Sequence, residues 1–338
     1  MKRSRFLPLV LLSLTYLLWS IFFSPSERPM IQITGITMGT IPYSINYFDE
    51  QSRKFKVEID SILTVYNQSL STYISSSEIS EFNIQDSLNF KTSFFYPVLL
   101  ASSEIYKNSN GLFDPTVGPL VNAYGFGPIK GMDLNNDVID SLLENIGFDK
   151  ILFNERSVKK KHGMYLDFSA IAKGGAIDEI AEYLNSKNIA NYMIEIGGEV
   201  VCKGLNKYNE IWSIGIESPL INKKVKRPIA IAKLENRALA TSGNYRNYYI
   251  KDDKLFSHTI DPKTGYQVEH NLLSASVFAK NCMLADGYAT ACMVMGLEAS
   301  KKMVNELEDI DCILIYNNDD GILEIFISEK IIDNVEIL

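Results

Sequence analysis

Between residues 190 and 279 the chain carries six strand-like runs with no helical run among them, and this limits its fold more than any other feature. The runs fall at 190–196, 199–203, 211–217, 228–234, 246–251 and 273–279. Upstream, residues 31–48 alternate apolar and polar positions around a break at Gly39, which reads as further strand. Helical spacing appears at 51–70 (Phe55, Ile59, Ile62, Leu63, Tyr66), at 93–109 before a stop at Gly111, and at 135–146. A short strand is expected at 150–153, a helix at 169–187, one long helix at 284–307, and two final strands near 311–316 and 323–328. Strands that do not alternate with helices lack the crossovers a parallel sheet needs. The expected fold is therefore α+β: a single unit of two packed α/β halves with a largely antiparallel sheet, not a doubly wound one. No repeat or linker divides residues 30–338.

Composition narrows the function. Of 338 residues, 46% are hydrophobic and 22% charged, which suits a globular chain with a sizeable core. The net charge is −8, and an acidic surface does not neutralise phosphate backbones, so no nucleic acid partner is expected. Cys202, Cys282, Cys292 and Cys312 are far apart with no CxxC pair, which argues against a zinc site or a disulfide framework; Cys282 and Cys292 read as small buried hydrophobes.

The N-terminus reads as a targeting segment. Lys2, Arg3 and Arg5 precede an uncharged run, residues 6–23, of 18 apolar-rich residues. That length is just enough to cross a bilayer and long for the apolar part of a cleaved signal. No small-x-small cleavage site follows, and no cysteine is placed to take a lipid. Residues 1–29 are expected to be an uncleaved membrane anchor, with the basic residues in the cytoplasm and the rest of the chain on the other side of the membrane.

Four segments look chemical. Gly111–Leu120, followed by Gly125-Phe-Gly127, fixes a backbone path either for a structural loop or close to a ligand. Asp167–Ala176 enters a helix through Ser169 and two glycines; free N–H groups there attract anions, although a tight helix–strand contact would use the glycines equally well. Ser257–Gly265 sets His258 and Asp261 in a Pro-x-x-Gly turn, where His258 is either a general base or phosphate-orienting group, or a turn histidine bonding local backbone. In Ala285–Thr290, Asp286 and Thr290 are i and i+4 on one helix face. A carboxylate and a hydroxyl at the mouth of a buried helix are hard oxygen ligands suited to Mg²⁺; the alternative is an acid favoured by the helix dipole.

In order along the chain come Met38-Gly-Thr40, Leu70-Ser-Thr-Tyr73 with Ser77–Ser80 and Asn83, and Phe113–Val121. Ile171-Ala-Lys-Gly174, Ile196-Gly-Gly-Glu199, Ala240-Thr-Ser-Gly243, Ser257–Gly265 and Ala285–Thr290 follow. In these runs the chain resembles the ApbE-type FAD:protein FMN transferases over roughly residues 31–330. The resemblance implies that residues 30–338 are a catalytic domain that takes FAD as substrate and moves FMN, with Mg²⁺, onto a threonine hydroxyl, releasing AMP. The implied partner is an acceptor flavoprotein with a Ser/Thr-containing flavinylation motif, such as a subunit of a membrane redox pump.

Carried over residue by residue, the family's metal site falls on the Ala172 carbonyl and the side chains of Asp286 and Thr290, with Ala289 adjacent. Its FAD contacts fall on Met38, Tyr73, Leu112, Phe113, Asp114, Ser169, Lys173, Gly175 and Ile260. His258 is the candidate catalytic base, with Asp261 and Asp286 as rivals. Phe168-Ser-Ala170 stands where the family often has Leu-Gly-Gly, and Gly175 where a larger residue is common. Two other functions compete with transfer: Mg²⁺-dependent hydrolysis of FAD to FMN and AMP, and FAD binding without turnover. A membrane-tethered scaffold is a third reading.

Overall fold

The computed structural model describes residues 30–128, 131–219, 227–243, 248–251, 254–257 and 259–338. In chain order the elements are strands β1 (Met30–Thr37) and β2 (Ile41–Phe48), helices α1 (Lys56–Leu70) and α2 (Glu78–Ile84), strand β3 (Ser87–Asn89), and helices α3 (Phe95–Asn108), α4 (Gly118–Ala123) and α5 (Asn136–Leu143). Strands β4 (Leu152–Phe153) and β5 (Ser157–Lys159) lead to helix α6 (Ala172–Ser186). Then come β6 (Tyr192–Ile196), β7 (Glu199–Lys203), β8 (Trp212–Glu217), β9 (Pro228–Leu234), β10 (Ala238–Gly243), β11 (Tyr248–Lys251), β12 (Lys254–Ser257) and β13 (Leu272–Ala279). Helices α7 (Cys282–Met295) and α8 (Leu297–Glu306) precede β14 (Asp311–Asn317), β15 (Leu323–Ile327) and β16 (Val335–Ile337).

Eight strands form one sheet in the order β1-β2-β6-β7-β10-β13-β14-β15, antiparallel at every pairing, as the absence of crossover helices predicts. Its central strands are buried on both faces, and residue parity sorts their side chains. Val201, Ala238, Ala240, Val277, Cys312 and Leu314 join the main core under the helices. Their neighbours Val200, Cys202, Leu239, Phe278, Ile313 and Ile315 point the other way. There they meet Trp212, Ile216, Ala230 and Ala232 of the small sheet β16-β9-β8. The period-two alternation of a strand therefore builds a three-layer body: helices, large sheet, small sheet. The four cysteines are free and buried, the role expected for Cys282 and Cys292.

One expected helix is two in the structure. The run expected at 284–307 breaks at Gly296, whose φ of 76° lies in the left-handed region. The Ser300 hydroxyl donates to the Gly296 carbonyl (2.6 Å) and starts the next helix. The helix expected from Ser169 begins at Ala172, because Asp167 first captures the Ser169 amide (2.8 Å) in a local turn.

The packing of α6 on α7 fixes the geometry of everything above it. Helix α7 is apolar nearly all round and lies in the core, so its N-terminal amides cannot turn to water. Asp178 of α6 serves them: its two carboxylate oxygens accept the amides of Cys282 and Met283, each at 2.8 Å. Asp286 of α7 returns the service, accepting the Gly174 amide at 3.0 Å at the start of α6. The helices meet closely because residue 174 has no side chain; a Cβ there would stand 2.2 Å from the Cys282 carbonyl oxygen.

Gly174→Ala forces backbone apart and lowers stability by about 3 kcal/mol or more, whereas Gly39→Ala, in open space at φ 85°, costs about 1 kcal/mol. Thermal unfolding of the two variants checks the contrast. Burial pushes the Asp178 carboxyl from its ordinary 3.8 to about 7, against the pull of its two amide bonds. Its folded pKa is raised, so its contribution is complete below about pH 4 and is lost as the pH rises through about 7. Urea unfolding at pH 5 and pH 8 therefore finds the stability gap between wild type and Asp178→Asn larger at pH 5.

Candidate active site

A cavity of about 820 Å³ opens where the start of α6, one face of α7 (Asp286, Thr290, Val294), the β10 end and the loops around residues 112–127 and 259–262 meet. Its size suits a nucleotide-sized ligand. One flank is apolar: Leu112, Phe113, Val117, Val121, Ile260 and Pro262 line it, with exposed Tyr73 at the rim. The other end is polar, lined by Ser169, Lys173, Glu199, Thr241, Ser242, Asp286 and Thr290.

The loops are held by their own polar groups. Buried Asp114 accepts the Thr116 amide (2.7 Å), the Thr116 hydroxyl (2.6 Å) and the Phe148 amide (3.1 Å). Burial still pushes its carboxyl up to about 6. The Asp167 amide donates to the Pro115 carbonyl (2.8 Å), joining the Gly111–Leu120 run to the entry of α6. The Tyr124 hydroxyl donates to the Gly265 carbonyl (3.1 Å) and ties in the Ser257–Gly265 turn. The Gly111–Leu120 run is thus bonded to the entry of α6, and Tyr124, just beyond that run, to the Ser257–Gly265 turn. The Ala285–Thr290 segment enters through the bond from Gly174 to Asp286.

The polar end concentrates charge away from water. The Lys173 ammonium stands 3.4 Å from Asp286 Oδ1 and 3.4 Å from Glu199 Oε1. Burial opposes its charge, but the two carboxylates outweigh that and hold Lys173 above its ordinary range. Burial pushes Glu199 up to about 7, with Lys173 pulling down and Asp286 pushing further up. Burial likewise raises Asp286, partly offset by Lys173 and the Gly174 amide. Asp286 and Thr290, one turn apart, both line the cavity, and the Thr290 hydroxyl lies 3.4 Å from that of Ser242. Glu199 Oε2 is buried with no hydrogen-bond partner among the described residues.

Sequence-derived site residues divide as follows. Tyr73, Leu112, Phe113, Asp114, Ser169, Lys173, Ile260, Asp286 and Thr290 converge on the cavity. Met38 sits in the β1–β2 turn at φ 48°, packed against the main core rather than lining the cavity. Gly175 is buried beneath it, where a Cβ would meet the Tyr66 hydroxyl at 2.1 Å. Ala172 lies in the first turn of α6 and Ala289 is fully buried in α7. His258 lies outside the described residues. Asp261 spends its carboxylate on its own turn, accepting the Lys263 amide at 2.7 Å, and is absent from the cavity lining. Glu199, Thr241 and Ser242 line the cavity without having been singled out as site residues. Their signal was present, since they end the Ile196–Glu199 run and fill the Ala240–Gly243 run.

The sequence profile of the ApbE family matches residues 38–314. The chain belongs to the ApbE family. It is similar to an FAD:protein FMN transferase of Vibrio cholerae, 37% identical over 309 residues that cover 89% of this chain and 91% of that protein. A Haemophilus influenzae protein of the same name is 37% identical over 311 residues, covering 87% and 89%. Among solved structures, the flavin transferase ApbE from Vibrio cholerae superposes with a TM-score of 0.80 at 34% identity, over 90% of this chain and 98% of that one. The Pseudomonas stutzeri flavinyl transferase ApbE, in apo form, gives 0.80 at 28% identity, over 90% and 96%.

The residues at the polar end fit the divalent cation that the family implies. The side chains at this end that could hold a metal are oxygen donors, which suit a hard cation. A buried carboxylate whose free oxygen has only a long contact to Lys173, and a hydroxyl one turn on, are hard donors.

Proposed function

We propose that the chain transfers FMN from FAD to a threonine hydroxyl of an acceptor protein, with Mg²⁺ bound and AMP released. The observation that carries this reading is the single cavity that joins an apolar flank, a buried ammonium, and a buried carboxylate–hydroxyl pair. The reading is supported by family membership and by relatives named for that activity over most of their length.

The division of labour follows from the lining. Leu112, Phe113 and Ile260 offer apolar surface to a ring system, with Tyr73 at the mouth. Lys173 offers positive charge to a diphosphate. Asp286 and Thr290, with the Ala172 carbonyl, would hold Mg²⁺, which supplies charge neutralisation at the diphosphate when bound. In transfer, the acceptor oxygen forms a bond to the FMN phosphorus, the bond from that phosphorus to the bridging oxygen breaks, and the pair leaves with AMP. The acceptor hydroxyl is a weak nucleophile and gives its proton to a base, for which His258 is the candidate. Buried walls hold the reacting groups in place and limit competing attack by water. Residues 1–29 would anchor this domain, residues 30–338, to the bacterial inner membrane on the periplasmic side. That placement faces it toward an acceptor flavoprotein with a Ser/Thr-containing motif, such as a redox-pump subunit.

Incubation with FAD, Mg²⁺ and an acceptor carrying such a motif, followed by denaturing electrophoresis, tests the reading. A fluorescent acceptor band with the added mass of FMN is expected. Free FMN and AMP with an unlabelled acceptor mark a hydrolase instead, and intact FAD marks a binding protein. Asp286→Asn keeps an acceptor for the Gly174 amide and is expected to fold, yet to cut transfer by roughly 100-fold or more. His258→Ala is expected to slow transfer by roughly 10²–10⁴-fold; a loss below about tenfold demotes it from base to positioning.

A further inference from the structure

We propose that Glu199 is a positioning residue that draws the Lys173 ammonium off Asp286, and so keeps that carboxylate open to the divalent cation. The inference rests on the reading of Asp286 as a cation ligand given above.

The ammonium is shared evenly, at 3.4 Å from Asp286 Oδ1 and 3.4 Å from Glu199 Oε1. Both separations exceed the ~2.7–2.9 Å of a settled charge-assisted hydrogen bond, so neither carboxylate holds it alone. Asp286 and Glu199 are 2% and 3% exposed, and a buried carboxylate without a counter-ion is costly. Lys173 therefore occupies the place of a cation between them. A divalent cation arriving at Asp286 repels the ammonium, which is then stable only where a second carboxylate receives it. Glu199 is built for that. Its Oε2 has no hydrogen-bond partner among the described residues, so the carboxylate has unused capacity for the departing ammonium.

The backbone supports the same motion. Glu199 follows Gly197 and Gly198, both in the left-handed region (φ 62° and 106°). A Cβ at 197 would lie 3.7 Å from the Lys173 Cδ, so the lysine stem passes directly over this turn, and 2.7 Å from Ile41. The glycines let the turn lie under the stem and place the carboxylate at the end of its reach. Without Glu199, the ammonium has Asp286 as its single buried carboxylate and competes with the cation for it.

Mn²⁺ titration of the purified full chain, followed by electron paramagnetic resonance without FAD, tests this on four proteins. Wild type is expected to bind Mn²⁺. Glu199→Gln is expected to weaken binding by about 10–100-fold at an unchanged unfolding temperature. Lys173→Met is expected to bind at least as tightly as wild type. The double variant is expected to match Lys173→Met within about threefold, because Glu199 acts through the lysine. Wild-type affinity in Glu199→Gln overturns the proposal and leaves the cation site standing. An equal loss in both lysine backgrounds also overturns it, since Glu199 would then act on the cation directly. Absence of Mn²⁺ binding in wild type removes the cation site and the proposal together. Where Glu199→Gln does not fold, Lys173→Met decides: binding at least as tight as wild type supports the proposal, and weaker binding overturns it.

Discussion

The structure depends on one reciprocal interaction: each of two buried helices uses a carboxylate to satisfy the other's N-terminal amides. Asp178 of α6 caps α7 at Cys282 and Met283, and Asp286 of α7 accepts the Gly174 amide of α6. Unpaired amides in the core would each cost on the order of 1–3 kcal/mol, so neither helix is stable there without the other. The contact also needs Gly174, since any side chain would strike the Cys282 carbonyl. A change at this crossing therefore reaches both the fold and the site.

Function follows from where the interlock leaves its charges. Asp286 has one oxygen committed to the fold and the other facing Lys173, so a structural carboxylate also lines the cavity. Asp178, of the same chemistry seven residues into α6, has both oxygens committed and does not line it. The difference between a capping acid and a candidate ligand is thus one free oxygen. The sheet supplies the remaining polar groups: Glu199 begins β7, and Thr241 and Ser242 lie near the end of β10, so the cavity sits between the helix pair and the ends of central strands.

Much of this was legible in the sequence, for physical reasons. The antiparallel sheet followed from strand runs without crossovers, and the Asp286–Thr290 pair from helical period and an apolar helix. Strand β10 was passed over because Ala240-Thr-Ser-Gly243 has neither bulk nor clean alternation; its partners β7 and β13 make it a strand. The break at Gly296 was hidden because apolar spacing continues through it into α8, while a single positive φ ends α7. Glu199 lay in a recognised run, but its value depends on Lys173, 26 residues upstream, and no local pattern reports that distance. The close approach that Gly174 allows is made to helix α7 rather than to a strand, and its amide binds an anion supplied by the chain's own Asp286.

Anomalous diffraction from crystals grown with FAD and Mn²⁺ shows directly whether Asp286 and Thr290 hold the cation. A manganese peak bonded to Asp286 and Thr290 is expected, with the FAD diphosphate beside it and its ring systems within the apolar-flanked cavity. A manganese peak elsewhere, or FAD bound outside that cavity with Asp286 still held by Lys173, would contradict this placement.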